Sequence, residues 1–447
     1  VLSDAELRAR MSDAAAVPTL RELVTELQLT ERMSADEMQQ LQSLQLAALI
    51  GHHSRHTPAF AARLRRARLA ASDVNSVEKL TRLPLLSRRE IQDLGANFYS
   101  GKIPVDHRPT HTVVTSGSTG EPVKVRKTAL CGLYWAANTA RDHRWNGRDV
   151  TGRLLSIRPT IAERTEAESW GFPMAGLGRT GRGLGLPTAM DLAEHVRCID
   201  EFQPQTLLVF PNVLGGLVGE WERRGSPPPS IRHLKAVGET VREELRERAL
   251  RVCGLRVEDS YSSQECGIIA IQCAEGGLYH VMAESALVEV IDAAGLPCKA
   301  GETGRLVVTD LRNFASPLIR YEIGDVAIRG GACRCGLQLP TLQHILGRDR
   351  NLLARPDGSR RYPIIGFHEF QKVAPVLQFR FIQHTLHEIE LIVHTRAALE
   401  PEQLAALAKI VQTALDYPFE VRVTHSATAL PRSSGGKFED FICKVPD

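Results

Sequence analysis

Up to about Ile91 the apolar positions recur at helical spacing: Leu20, Leu23 and Leu27, then Met38, Leu41, Leu44, Leu46, Leu49 and Ile50, then Phe60, Leu64 and Leu69. Ser34-Ala35-Asp36-Glu37 opens the second run with the hydroxyl and early carboxylates of a helix N-terminus. His52, His53 and His56 close it and read as a solvated helix end in preference to a metal site. From Thr112 the pattern changes. Leu154-Leu155-Ser156-Ile157 and Thr206-Leu207-Leu208-Val209-Phe210 are apolar enough for buried strands, while residues 191 to 202, 213 to 223 and 241 to 252 carry helical periodicity. Such alternation predicts an α/β core with helices covering a sheet.

Leu306-Val307-Val308-Thr309 opens a strand-rich stretch that closes on Tyr321-Glu322-Ile323-Gly324-Asp325. Past Gly347-Arg348-Asp349-Arg350 the pattern shifts again: residues 377 to 395 predict a hairpin, 401 to 415 an amphipathic helix and 419 to 423 another strand. The chain therefore divides into a large N-terminal α/β domain over 1–347 and a small C-terminal α+β domain over 348–447. The large domain comprises a helical lead-in, 1–100, and a core, 101–347. Ser226-Pro227-Pro228-Pro229-Ser230 is a loop inside that core, too short for a linker, and no internal repeat is present.

Composition narrows the class of function. The 447 residues are enough for more than one core, and a formal net charge of +3 calls for neither nucleic acid nor a membrane surface. No apolar run reaches the length of a bilayer span, and Val1-Leu2-Ser3-Asp4-Ala5-Glu6 lacks the layout of a secretory signal, so the cytoplasm is the expected compartment. Nine cysteines are too few for a disulfide scaffold in so long a chain. Oligomeric state is not written in the sequence, and a homodimer stays open.

The chemistry begins at Thr112 to Lys127, TVVTSGSTGEPVKVRK. A β-branched run feeds a loop of small residues, after which a helix-like segment begins near Thr128. Gly117 and Gly120 can turn backbone N–H groups toward an anion, Ser116, Ser118 and Thr119 add hydroxyl donors, and Lys124 adds a counter-charge. An ordinary Ser/Gly surface loop has the same composition. A Walker loop is excluded, because Gly120-Glu121-Pro122 stands where Gly-Lys-Ser/Thr would be required. The string from Thr115 to Pro122, with Lys124 after it, resembles the nucleotide loop of the adenylate-forming superfamily, the acyl-CoA synthetases and their relatives.

Further stretches extend that resemblance from Leu80 to Lys437. Tyr261-Ser262-Ser263-Gln264-Glu265 is similar to the superfamily's Tyr-Gly-x-Thr-Glu, which implies that Tyr261 packs near adenine and Glu265 binds Mg2+; Ser262 replaces glycine and Gln264 replaces threonine. Asp325 resembles the aspartate that accepts both ribose hydroxyls, though Gly-Asp is also a common turn. Val237-Gly238-Glu239-Thr240 resembles another nucleotide-site turn. Arg348 stands in the place of the arginine near the nucleotide, with Arg350 at the interdomain pivot. Leu430 to Lys437 is similar to the terminal loop whose lysine, here Lys437, stabilises the charge that develops as the adenylate forms.

The closest resemblance is to the phenylacetate-CoA ligase branch, through residues 80 to 91, where Arg88 stands for a lysine, and through the cysteines. Cys273, His280, Cys333 and Cys335 are a donor set suited to structural zinc, with Cys266 and Cys298 as substitutes; buried reduced thiols are the competing reading. The acid pocket is expected around Tyr134, Trp135, Asn212 and Gly238, whose aromatics suit a flat aryl substrate, although core packing explains Tyr134 and Trp135 equally well. The resemblance implies activation of an aromatic or heteroaromatic acid by Mg-ATP to acyl-AMP, then transfer to a thiol, coenzyme A or a carrier protein. Transfer to an amine, activation of nitrite to diazotise an aryl amine, and an idle nucleotide-binding homologue stay open beside it.

Overall fold

The strand Thr206–Val209 is buried at every position and lies inside a six-stranded sheet. Along that sheet the strands run Thr165–Ala167, Gly183–Pro187, Leu154–Arg158, Thr206–Val209, His233–Ala236 and Val257–Glu258, all parallel except the first. Parallel strands need crossovers, and the helices Leu192–Phe202, Pro211–Arg224 and Glu243–Cys253 supply them, packing Val196, Leu214, Leu217 and Trp221 onto the sheet. This is a computed structural model, and it describes residues 4–13, 17–115, 122–348, 353–357, 360–361, 369–370, 372–415, 417–431 and 438–445.

A second sheet of seven antiparallel strands runs Ala286–Ile291, Thr303–Asp310, Tyr321–Arg329, Thr341–Arg348, Tyr279–Val281, Gly267–Gln272 and Ser260–Ser263. Its register sets Asp325 opposite Arg348, residues separated by a whole loop in sequence. The N-terminal helices Leu20–Thr30 and Ala35–His56 both open on capping boxes, Thr19 with Glu22 and Ser34 with Glu37. With the helix Ala129–Trp145 they bury Leu23, Leu27, Leu41 and Tyr134 in a core of their own. A third, four-stranded sheet, Glu420–Ser426, Glu388–His394, Gln378–Gln383 and Phe441–Cys443, packs on the helix Pro401–Leu415 around a separate core that includes Phe379, Leu391 and Leu407.

Two expectations change. His53 is fully buried, its Nδ1 2.7 Å from Thr57 Oγ1 and its Nε2 3.0 Å from the Asn313 carbonyl, and His52 Nε2 lies 3.0 Å from the Phe314 carbonyl. The turn around Asn313 and Phe314 covers the helix end, so it is not solvated. Between the loop and the helix that follows it there is also a strand, Lys124–Thr128, paired with Thr110–Val114. Val123, Val125 and Lys127 point inward there while Lys124 stays exposed, a period of two that is short enough to be hidden by the helix after it. Among the described residues no helix is long and apolar enough to cross a membrane.

Candidate active site

Thr115 and Val123 close the base of the loop: the Thr115 N–H donates to the Val123 carbonyl at 3.0 Å, and the Val123 N–H donates to Thr115 Oγ1 at 3.0 Å. Arg88 Nη2 donates to the same hydroxyl at 2.7 Å, so the lead-in segment is tied to the loop by a guanidinium. Ser116, Gly117, Ser118, Thr119 and Gly120 lie outside the described residues, as do Arg350 and Lys437.

Three strands of the seven-stranded sheet bring side chains together at Asp325. The Tyr261 hydroxyl donates to Asp325 Oδ2 at 2.5 Å, Arg348 Nε lies 3.2 Å from Asp325 Oδ1, and Arg348 Nη1 donates to the Ile323 carbonyl at 2.8 Å. The Asp325 charge holds the Arg348 guanidinium above its ordinary pKa, while burial and the same carboxylate push the Tyr261 hydroxyl up, so both stay protonated donors. Each Asp325 oxygen keeps one lone pair beyond these contacts. Glu265 is 2 % exposed and accepts from the Tyr321 hydroxyl at 3.4 Å through Oε1; Gln264, beside it, is exposed. A carboxylate with an oxygen to spare is the donor a hard cation takes.

Gly238 has φ +83°, and a Cβ built there would stand 2.6 Å from the Phe210 ring, so both backbone and space demand glycine. Glu239 accepts from the Asn212 N–H at 3.3 Å and from the Phe438 N–H at 2.8 Å, the residue after Lys437. Arg242, three positions on, pairs with Asp440 and lies 4.8 Å from the centre of the Phe379 ring.

Tyr134 and Trp135 border a cavity together with Asn138, Gly267, Asp310 and Arg312. Asn212 and Gly238 do not line it. Sequence reasoning missed Asn138, Asp310 and Arg312; the available signal was polar residues at positions where the helical and strand patterns call for apolar ones. Elsewhere, the donor atoms of Cys273, His280, Cys333 and Cys335 all lie within 4.8 Å of one another. A Cβ on Gly276 would stand 2.1 Å from Cys333 Sγ, so that glycine lets the chain close around the cluster. Three soft thiolates and an imidazole converging in this way fit tetrahedral zinc. Cys266 belongs to the cavity wall instead.

No protein-family model matches the chain. It is 26% identical over 337 residues to a phenylacetate-coenzyme A ligase of Thermus thermophilus, covering 72% of this chain and 73% of that one. Against the phenylacetate-coenzyme A ligase of Escherichia coli the identity is 25% over 344 residues, or 74% and 75% of the two chains. Among solved structures, 2-hydroxyisobutyryl-CoA ligase in its postadenylation state, with an acyl-AMP bound, matches with a TM-score of 0.72 at 19% identity, covering 93% of this chain and 90% of that one. The thioesterification state of the same ligase matches with a TM-score of 0.62 at 19% identity, covering 97% and 95%. The fold is that of the adenylate-forming enzymes. In sequence the chain is similar to the phenylacetate-CoA ligases.

Proposed function

We propose that this chain activates a carboxylic acid with ATP and passes the acyl group to the thiol of coenzyme A. The observation that carries the reading is the corner formed by Tyr261, Asp325 and Arg348, which joins three separate stretches into one polar site beside Glu265. In this reading the free lone pairs of Asp325 take the two ribose hydroxyls, and Tyr261 lies against the adenine. Glu265 would hold Mg2+, whose charge would offset that of the phosphates. The loop of Thr115 to Gly120, with Lys124, cradles those phosphates, and the Glu239 turn borders them.

The acid's carboxylate oxygen attacks the α-phosphorus and the bond to the bridging oxygen breaks, giving acyl-AMP and pyrophosphate. Arg348 and Lys437 stabilise the charge that builds there. The domain of residues 348–447 then turns about Arg350, and a thiolate attacks the acyl carbon as AMP leaves. Tyr134 and Trp135 at the cavity favour an aromatic or heteroaromatic acid. Cys273, His280, Cys333 and Cys335 would hold zinc in a structural role, their four donors sufficing for the ion.

The test follows AMP, pyrophosphate and acyl-CoA with purified protein, Mg-ATP and a panel of aromatic and heteroaromatic acids, with and without coenzyme A. Acid-dependent AMP release that coenzyme A accelerates is the expected result. ATP binding without turnover on any acid, or AMP release that requires nitrite and an aryl amine, would overturn it.

A further inference from the structure

The cavity beside Tyr134 and Trp135 is polar where an aryl pocket would be expected to be apolar. Asn138, Asp310 and Arg312 are 2 %, 4 % and 5 % exposed, and all three line it. Asn138 Oδ1, Asp310 Oδ2 and Arg312 Nη2 are buried without a hydrogen-bond partner among the described residues. The other groups of Asp310 and Arg312 are engaged: Arg312 Nη1 donates to the Met11 carbonyl at 2.7 Å, its Nε to the Glu284 carbonyl at 3.0 Å, and Asp310 Oδ1 accepts the Arg312 N–H at 3.1 Å. These contacts fix Asp310 and Arg312 in place beside Asn138, which leaves two acceptors and one donor over. Buried polar groups are nearly always paired, so three in one cavity mark the place of something that pairs them.

Size and position say what that is. The free space is ≈ 10 Å³, room for one water-sized group. The Arg312 guanidinium lies 4.5 Å from the centre of the Tyr134 ring, which gives the cavity a flat wall. Gly267, two residues from Glu265, forms another part of the lining, so the cavity adjoins the station assigned to the phosphates. Burial raises the Asp310 carboxyl above its ordinary range, opposed by the nearby charges of Lys127 and Arg312.

Resting on the function proposed above, we propose that the acid activated here carries a hydroxyl or amino substituent, which donates to Asn138 Oδ1 or Asp310 Oδ2 and accepts from Arg312 Nη2. An unsubstituted acid leaves those groups unpaired. A site built to bond a substrate's O–H or N–H rejects the analogue lacking it strongly, by far more than a missing methylene would.

The experiment compares matched acids, unsubstituted benzoate and phenylacetate against their hydroxy and amino derivatives at each ring position, by acid-dependent pyrophosphate exchange into ATP. We expect kcat/KM for at least one substituted acid to exceed its parent by about a hundredfold. Asn138→Leu and Asp310→Asn should cut that ratio at least tenfold, with thermal midpoints showing that each variant folds. Equal turnover of parent and substituted acids, or variants that lower both alike, would mean that the cavity holds only water and would overturn the inference while leaving the ligase reading intact. Silence with every acid would overturn both.

Discussion

Asp325 shows how much one carboxylate can organise. It accepts from Tyr261 and pairs with Arg348, so exchanging it leaves a hydroxyl and a guanidinium short of an acceptor. Asp325→Asn keeps the shape and removes the charge. We expect it to raise the KM for ATP roughly tenfold or more and to cost about 2 kcal/mol of stability, read by steady-state kinetics and by denaturant melts. A variant with unchanged KM would remove the ribose from this position. Tyr261, Asp325 and Arg348 were all legible in the sequence, because each stands in a short string with a recognisable spacing. Asn138, Asp310 and Arg312 were not. They occur singly within a helix and at a strand end, and only packing shows that they share a cavity.

At the scale of elements, the sequence announced its strands and helices wherever the apolar period ran long. The strand Lys124–Thr128 escaped because its alternation covers only five residues. The helix Ala35–His56 was foreseen, but not the burial of its end, since the covering turn lies at Asn313 and Phe314. That burial has a pH signature. Desolvation lowers His53 to about 3 and His52 to about 4, below the unfolded value near 6.5. Between those values the unfolded chain takes up protons that the folded chain refuses. Stability is therefore full above about pH 6.5 and falls as the pH drops, by at most about 1.4 kcal/mol per pH unit for the fully buried His53. Thermal midpoints between pH 7.5 and 5 should fall more steeply for the parent than for His53→Gln; parallel slopes would contradict the assignment. The cysteine cluster makes a second prediction at this scale. Metal analysis of the purified protein should find about one zinc per chain, and a strong chelator should lower the thermal midpoint. Gly276→Ala, whose Cβ would meet Cys333, should reduce zinc content as well. A chain free of zinc with an unchanged midpoint would return the cysteines to ordinary packing.

For the whole molecule, the Glu239 turn bridges the two proposed domains. Glu239 accepts from the Phe438 N–H, and Arg242 pairs with Asp440, so the residues just after Lys437 are tied to the nucleotide turn. Arg242→Ala should therefore slow the ATP-dependent half-reaction by about fivefold, the worth of one partly exposed ion pair of about 1 kcal/mol. Thioester formation from supplied acyl-AMP should be spared. Equal losses in the two half-reactions would show that Arg242 does not favour one arrangement over the other.

The first helix, Asp4–Ser12, is far in sequence from every nucleotide motif, yet the carbonyl of Met11 receives Arg312 Nη1. Shortening the chain past that helix would remove one of the two backbone carbonyls that hold the guanidinium, and so loosen the donor proposed for the incoming acid. A trimmed protein should still bind ATP but blur its choice between substituted and plain acids.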